Sequence, residues 1–177
     1  MRPYDSSHRF RGIVHPDHLD FYPLPSATRL AWLLRFFAWE IIAGLFALNL
    51  PGWFNHPFAW YQVISWILLV ASLIPITYGV ILLRKVGKPT DELEATTQLV
   101  TEGIYRFIRH PLYASLLYLA WGLFFKSISL LDGCLAVVGT AFLYATASAD
   151  EAECCHKFGE EYKRYMQKTK MFIPFVF

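Results

Sequence analysis

From Ala59 to Leu83 the chain carries no charged side chain, and a stretch of that kind has few ways to fold. About 20 consecutive apolar residues make an α-helix that crosses a hydrocarbon core, and away from water only a helix or a closed barrel satisfies every backbone polar group. Pro75 lies inside the run; it removes an intrahelical hydrogen bond and kinks the helix, which bundles tolerate where a neighbour or water takes the freed carbonyl. A comparable run covers residues 30–50 and stops at Leu50-Pro51-Gly52, and further apolar runs cover 111–125 and 130–149. The pattern predicts an all-α fold: a polytopic transmembrane bundle of four spans, its last helix leaving the membrane as an amphipathic cytoplasmic arm.

Composition agrees with that class. Only 17% of residues are charged, against about a quarter in soluble domains. A net charge of +2 is too small to point to nucleic acid. Cys134, Cys154 and Cys155 have neither the number nor the spacing for a disulfide framework or a zinc site, so reduced thiols and no metal are expected. Residues 1–28 are polar and rich in Pro and His, without the apolar core of a cleaved leader; they read as a cytoplasmic surface segment of a single domain covering 1–177.

Every Lys and Arg except Arg35 and Lys126 lies in a segment that four spans would place on one side. The positive-inside rule makes that side the cytoplasm, with the protein in the inner membrane of the cell and both termini inside. Arg35, near the start of its span, can snorkel, and Lys126 falls in an outer turn. Glu40 sits about ten residues into the first run, near mid-bilayer at 1.5 Å per residue, where a carboxylate is costly. Its reading is a helix that starts deeper, or a protonated or paired side chain, ahead of a substrate role.

Three constellations carry chemistry. In the first, the polar connection 84–109, expected to be cytoplasmic with a short surface helix from Asp91, ends in Arg109-His110-Pro111. Pro111 suits the first position of a helix, so Arg109 and His110 fall at its positive, amide-exposing end, which favours carboxylates and phosphates. Arg106, Tyr105 and Tyr113 lie at the same border. Read singly, the arginines are equally well positive-inside anchors and Tyr113 an interfacial aromatic. In the second, Glu151, Cys155, Phe158 and Tyr162 are spaced by four, three and four, so Glu151 shares the apolar face of its helix and points inward. Lys157, Glu160, Glu161 and Arg164 take solvated directions. The third is the tail, where Lys170 reads as a basic collar and Lys168 as a cation able to meet an anionic head group.

The run Leu99-Val-Thr-Glu-Gly-Ile-Tyr-Arg-Phe-Ile-Arg-His-Pro-Leu-Tyr113, followed by Asp150-Glu151, Phe158-Gly-Glu-Glu-Tyr162 and Phe172-Ile-Pro174, resembles the isoprenylcysteine carboxyl methyltransferase family. That resemblance includes its prokaryotic members and the related phospholipid methyltransferases. It covers residues 97–177 and implies that this part carries the cofactor-binding and catalytic region of an integral membrane enzyme using S-adenosylmethionine. By position, Val100, Gly103, Tyr105, His110, Tyr113, Asp150 and Glu151 would bind that cofactor, while Arg109, Glu151 and Lys168 would serve catalysis. The implied reaction is O-methylation of a lipophilic carboxylate or a lipid head group, with the bilayer as the other partner. Three positions depart from the eukaryotic carboxyl methyltransferases: Lys168 replaces an arginine, Thr97 a histidine and Asp150 a glutamate.

Two other readings compete. Asp150-Glu151-Ala-Glu-Cys154 with Lys157-Phe-Gly159 is similar to the closing helix of NADPH-dependent sterol reductases, although the Asn-Tyr-x-Gly-Asp that follows their His-Pro is absent here. A non-enzymatic membrane protein binding anionic lipid through the same charged patch is the other.

Overall fold

The computed structural model describes residues 25–88 and 96–176, with side chains from Trp32 onward. Most of the N-terminal segment and the surface helix expected at Asp91 lie outside the described residues. Among the described residues five α-helices follow one another: α1 (Pro25–Asn49), α2 (Trp60–Leu82), α3 (Pro111–Phe124), α4 (Leu130–Phe158) and α5 (Glu160–Lys168). Single turns flank them at Leu50–Gly52, Leu83–Gly87 and Gly103–Arg106.

Among the described residues three segments have the length and apolarity to cross a membrane: Trp32–Gly52, Trp60–Gly87 and Leu130–Phe158. The expected fourth span, α3, has 14 residues, about 21 Å at 1.5 Å per residue and short of a hydrocarbon core of about 30 Å. It is the helix most enclosed by protein. α3 packs on α1, α2 and α4, and Ala114, Ala120 and Leu123 are fully covered. It runs antiparallel to α2, since Pro111 abuts Gly79 and Gly122 abuts Leu69. A Cβ on Gly122 would come within 3.2 Å of the Leu69 backbone nitrogen, so the absent side chain is what lets these helices approach.

α1 lies against α4, where Ile41 meets Gly139 and Phe37 stacks on Phe142, and its buried residues Ala38, Ile42, Leu45 and Asn49 are spaced four, three and four. Glu40 falls on the opposite, exposed face, so the structure keeps it away from the polar cluster described below. Trp39, Ile67, Val70 and Leu73 are likewise exposed, as expected of faces that meet lipid.

Lys126, expected in an outer turn, is in that turn but buried. Its Nζ donates to Gln62 Oε1 (3.0 Å) and lies 3.7 Å from the centre of the Trp66 ring, while Gln62 Nε2 donates back to the Lys126 carbonyl (2.8 Å). This clasp fastens the end of α3 to the start of α2. Gln62→Leu strands the ammonium and its carbonyl, and is expected to destabilise the fold by about 3 kcal/mol, read as a lower thermal midpoint in detergent. Lys126→Met removes the charge together with its need for a partner and should lose less. Burial pushes the Lys126 pKa below its usual 10.5, so the folded state is relieved of that charge as pH rises toward 10.5. The wild type should therefore gain stability relative to Lys126→Met on the alkaline side.

The helix expected to continue from the membrane into an arm is interrupted. Gly159, at φ +57°, closes α4 and begins α5, a separate helix of nine residues. Tyr162 and Tyr165 are its buried side chains.

Candidate active site

At the start of α3, His110 is the N-cap and Pro111 the first helical residue. The tail runs alongside: Lys170 N–H donates to the Phe107 carbonyl (3.1 Å), Arg109 N–H to the Lys170 carbonyl (2.8 Å) and His110 N–H to the Met171 carbonyl (3.1 Å). The tail thus takes up the amides of Arg109 and of the N-cap His110, the two residues that lead into α3.

The Arg109 side chain lies inward of this strap. Its Nε donates to Glu151 Oε1 at 2.6 Å, and its Nη1 to the carbonyls of Thr169 (2.6 Å) and Met166 (3.3 Å). One guanidinium therefore neutralises the carboxylate of α4 and caps the C-terminal carbonyls of α5, where a positive charge also opposes the helix dipole. Side chains of both ion-pair partners are only 10% exposed. His110 Nε2 lies 3.3 Å from the same Glu151 oxygen but without the alignment of a hydrogen bond. Its ring stacks on Tyr113, with centroids 5.6 Å apart.

Asp150, one residue before Glu151, is held from two other helices. Tyr113 Oη donates to its Oδ2 (2.7 Å) and Arg35 Nη2 to its Oδ1 (2.9 Å). Arg35, which by sequence alone is free to snorkel, is thereby a structural member of the cluster. No local pattern could reveal a partner 115 positions away.

The loop before α3 is seated by a small apolar group of its own, Leu83, Val100 and Tyr105. Gly103 takes φ +57°, and a Cβ there would stand 2.6 Å from Leu82 Cδ1. Val100 and Tyr105 side chains are consequently used in packing, and the Tyr105 carbonyl accepts from Tyr165 Oη (2.6 Å), tying α5 to the loop. Burial pushes the Tyr162 and Tyr165 hydroxyls well above the usual tyrosine range, so both stay protonated donors. Lys157, expected to be solvated, reaches the Thr96 carbonyl (2.6 Å).

Arg109, His110, Tyr113, Asp150 and Glu151 thus converge at one end of the bundle. Gly103, Val100 and Tyr105 form the adjoining loop. Lys168 lines a cavity of about 460 Å³ between residues 99–106 and α5, and so does Thr169, whose carbonyl accepts from Arg109.

Such a bundle, with its buried ionic cluster at the end of three apolar spans, defines an integral membrane protein built around a polar site. The signature of the phospholipid methyltransferase family matches residues 60–160, more than half of the chain, and the chain belongs to that family. It is similar to methanethiol S-methyltransferase 1 of Bradyrhizobium diazoefficiens, with 28% identity over 112 residues, 62% of this chain and 39% of that protein. It is also similar to methanethiol S-methyltransferase of Crocosphaera subtropica, with 26% identity over 153 residues, 84% of this chain and 58% of that protein. The chain therefore matches less than two thirds of the length of either relative.

Proposed function

We propose that this chain methylates a lipophilic acceptor with S-adenosylmethionine, at the cytoplasmic end of the bundle where Arg109, His110, Asp150 and Glu151 meet. The observation that carries the reading is the 2.6 Å Arg109–Glu151 pair, which joins the Arg-His-Pro run to the acidic pair of α4 as a single unit. Residues 97–177 supply it within one domain.

The polar groups suit such a cofactor. His110 offers a covered ring nitrogen without an aligned partner, beside carboxylates that can accept from ribose hydroxyls or an ammonium. Gly103 is exposed where the loop turns, with Leu82 on the side that a Cβ would occupy. His110, Asp150, Glu151, Tyr113 and the backbone of Val100 to Tyr105 would hold the cofactor, which supplies an electrophilic methyl group on a sulfonium. The chain's own contribution is positioning and exclusion of water. Glu151 is held by Arg109, and the apolar faces of the spans take the acceptor's tail.

Two acceptor classes follow. A carboxylate is already an anion at neutral pH and needs no general base, which suits O-methylation of a lipophilic acid or transfer to a lipid head group. The names of the relatives favour a small thiol, and a thiol reacts as its thiolate. S-methylation should thus keep accelerating as pH rises from about 5 to about 9, whereas carboxylate methylation should be flat there. Transfer of labelled methyl from S-adenosylmethionine into a membrane lipid extract and into methanethiol, each across that range, separates them. Calorimetric titration with S-adenosylmethionine and with NADPH tests the reading itself. Heat with NADPH alone would refute it.

A further inference from the structure

Three helices meet at the Asp150 carboxylate. α4 supplies it, Tyr113 of α3 donates to its Oδ2 (2.7 Å) and Arg35 of α1 donates to its Oδ1 (2.9 Å). With each oxygen held from a different side, the plane of the group is fixed. Tyr113 in turn stacks on His110, the two rings within 17° of parallel. A chain of contacts therefore runs from α1, through Asp150 and Tyr113, to the N-cap of α3.

The place of Arg35 is set without this pair. It extends the buried stripe Ala38, Ile42, Leu45 and Asn49 by one step of three residues toward the start of α1. Ile41 on Gly139 and Phe37 on Phe142 already fix α1 against α4. Side chains of Arg35 and Asp150 are 26% and 15% exposed, and an ion pair open to solvent adds little stability. Stability is therefore a weak reason for an arginine here. Charge balance is a stronger one: Asp150 and Glu151 are adjacent acids, and the Arg109 guanidinium is engaged by Glu151 and the end of α5. Arg35 answers the other acid.

We propose that Arg35 is a positioning residue of the methyl-transfer site. It holds Asp150 where that carboxylate, with Tyr113 and His110, meets the cofactor, and so joins the first span to a site otherwise built from residues 97–177. The cofactor's presence there rests on the methyltransferase reading; the coupling of Arg35 through Asp150 to His110 does not.

The test uses the full chain in detergent. Titration with S-adenosylmethionine should give Arg35→Met a dissociation constant roughly tenfold above wild type, a middling coupling for members of one hydrogen-bonded network. Its thermal midpoint should stay near that of wild type, and a large fall would make the role structural and overturn the proposal. Arg35→Lys keeps a cation able to donate to one oxygen and should recover most of the affinity. Arg84→Gln removes equal charge from the exposed turn after α2 and should change it little; a loss equal to that in Arg35→Met would mean a general charge effect. Arg35→Met/Asp150→Asn should bind no worse than Asp150→Asn alone. Additive losses would show that Arg35 acts by another route.

A second readout needs no cofactor. In histidine-labelled protein the His110 ring resonances, assigned with His110→Gln, should shift in Arg35→Met and return toward wild type in Arg35→Lys. Unmoved resonances, or unchanged affinity in Arg35→Met, would overturn the proposal. If wild-type protein binds no S-adenosylmethionine but the resonances move, the methyltransferase reading fails and Arg35 keeps its part in ordering the cluster.

Discussion

Arg109→Ala is expected to release α5 and the tail from the bundle and to remove methyl transfer. The guanidinium holds Glu151 on one side and the carbonyls of Met166 and Thr169 on the other, so its loss leaves a covered carboxylate and the end of a helix without partners. Breaking a buried ion pair by removing one member costs about 3–5 kcal/mol. Misplacing positioning groups by about 1 Å can lower a rate on the order of a hundredfold. Limited proteolysis should show new cleavage after Gly159, and labelled transfer should fall at least that far. Arg109→Lys keeps the charge but cannot reach carboxylate and carbonyls at once; it should recover part of the protease resistance and little of the rate. A fully active, protease-resistant Arg109→Ala protein would sink the site.

Gly103→Ala is expected to be the next most damaging single change, although it adds one methyl group. Two effects combine there. A non-glycine residue at φ +57° carries about 1–2 kcal/mol of strain, and the new Cβ meets Leu82 Cδ1 at 2.6 Å. Leu82→Ala separates them, because it removes the atom that the new Cβ would meet and leaves the Gly103 backbone as it is. Gly159, at φ +57° and ψ −131°, has no atom within 4 Å of where a Cβ would stand, so Gly159→Ala carries a backbone penalty alone. Adding Leu82→Ala to Gly103→Ala should relieve the clash and not the strain. Loss of S-adenosylmethionine affinity in Gly103→Ala but not in Gly159→Ala would tie the loop to cofactor binding.

The bundle is legible in the sequence because hydropathy over a helix length is a local property. Uncharged runs and the proline opening α3 each act through their immediate neighbours, and the helix limits follow them closely. The break at Gly159 is not legible in the same way, since the spacing from Glu151 to Tyr162 suits one uninterrupted helix as well as two. Most members of the polar cluster are legible as residue types at a membrane border. Lys126 departs from its sequence reading for the converse reason: a lysine in a turn reads as solvated until Trp66 and Gln62, from another helix, are brought around it.

What the sequence by itself determined is the membrane class, the order of the apolar helices and the set of residues available for chemistry, all set by composition and short-range spacing. Which of those residues meet was decided by tertiary structure alone. Arg35 reaches Asp150, Arg109 closes on Glu151 and the end of α5, and Lys168 lines the cavity beside residues 99–106. The physical reason is that burying a charge is costly unless a partner arrives, and the identity of that partner depends on helix packing over distances at which the sequence carries no local signal.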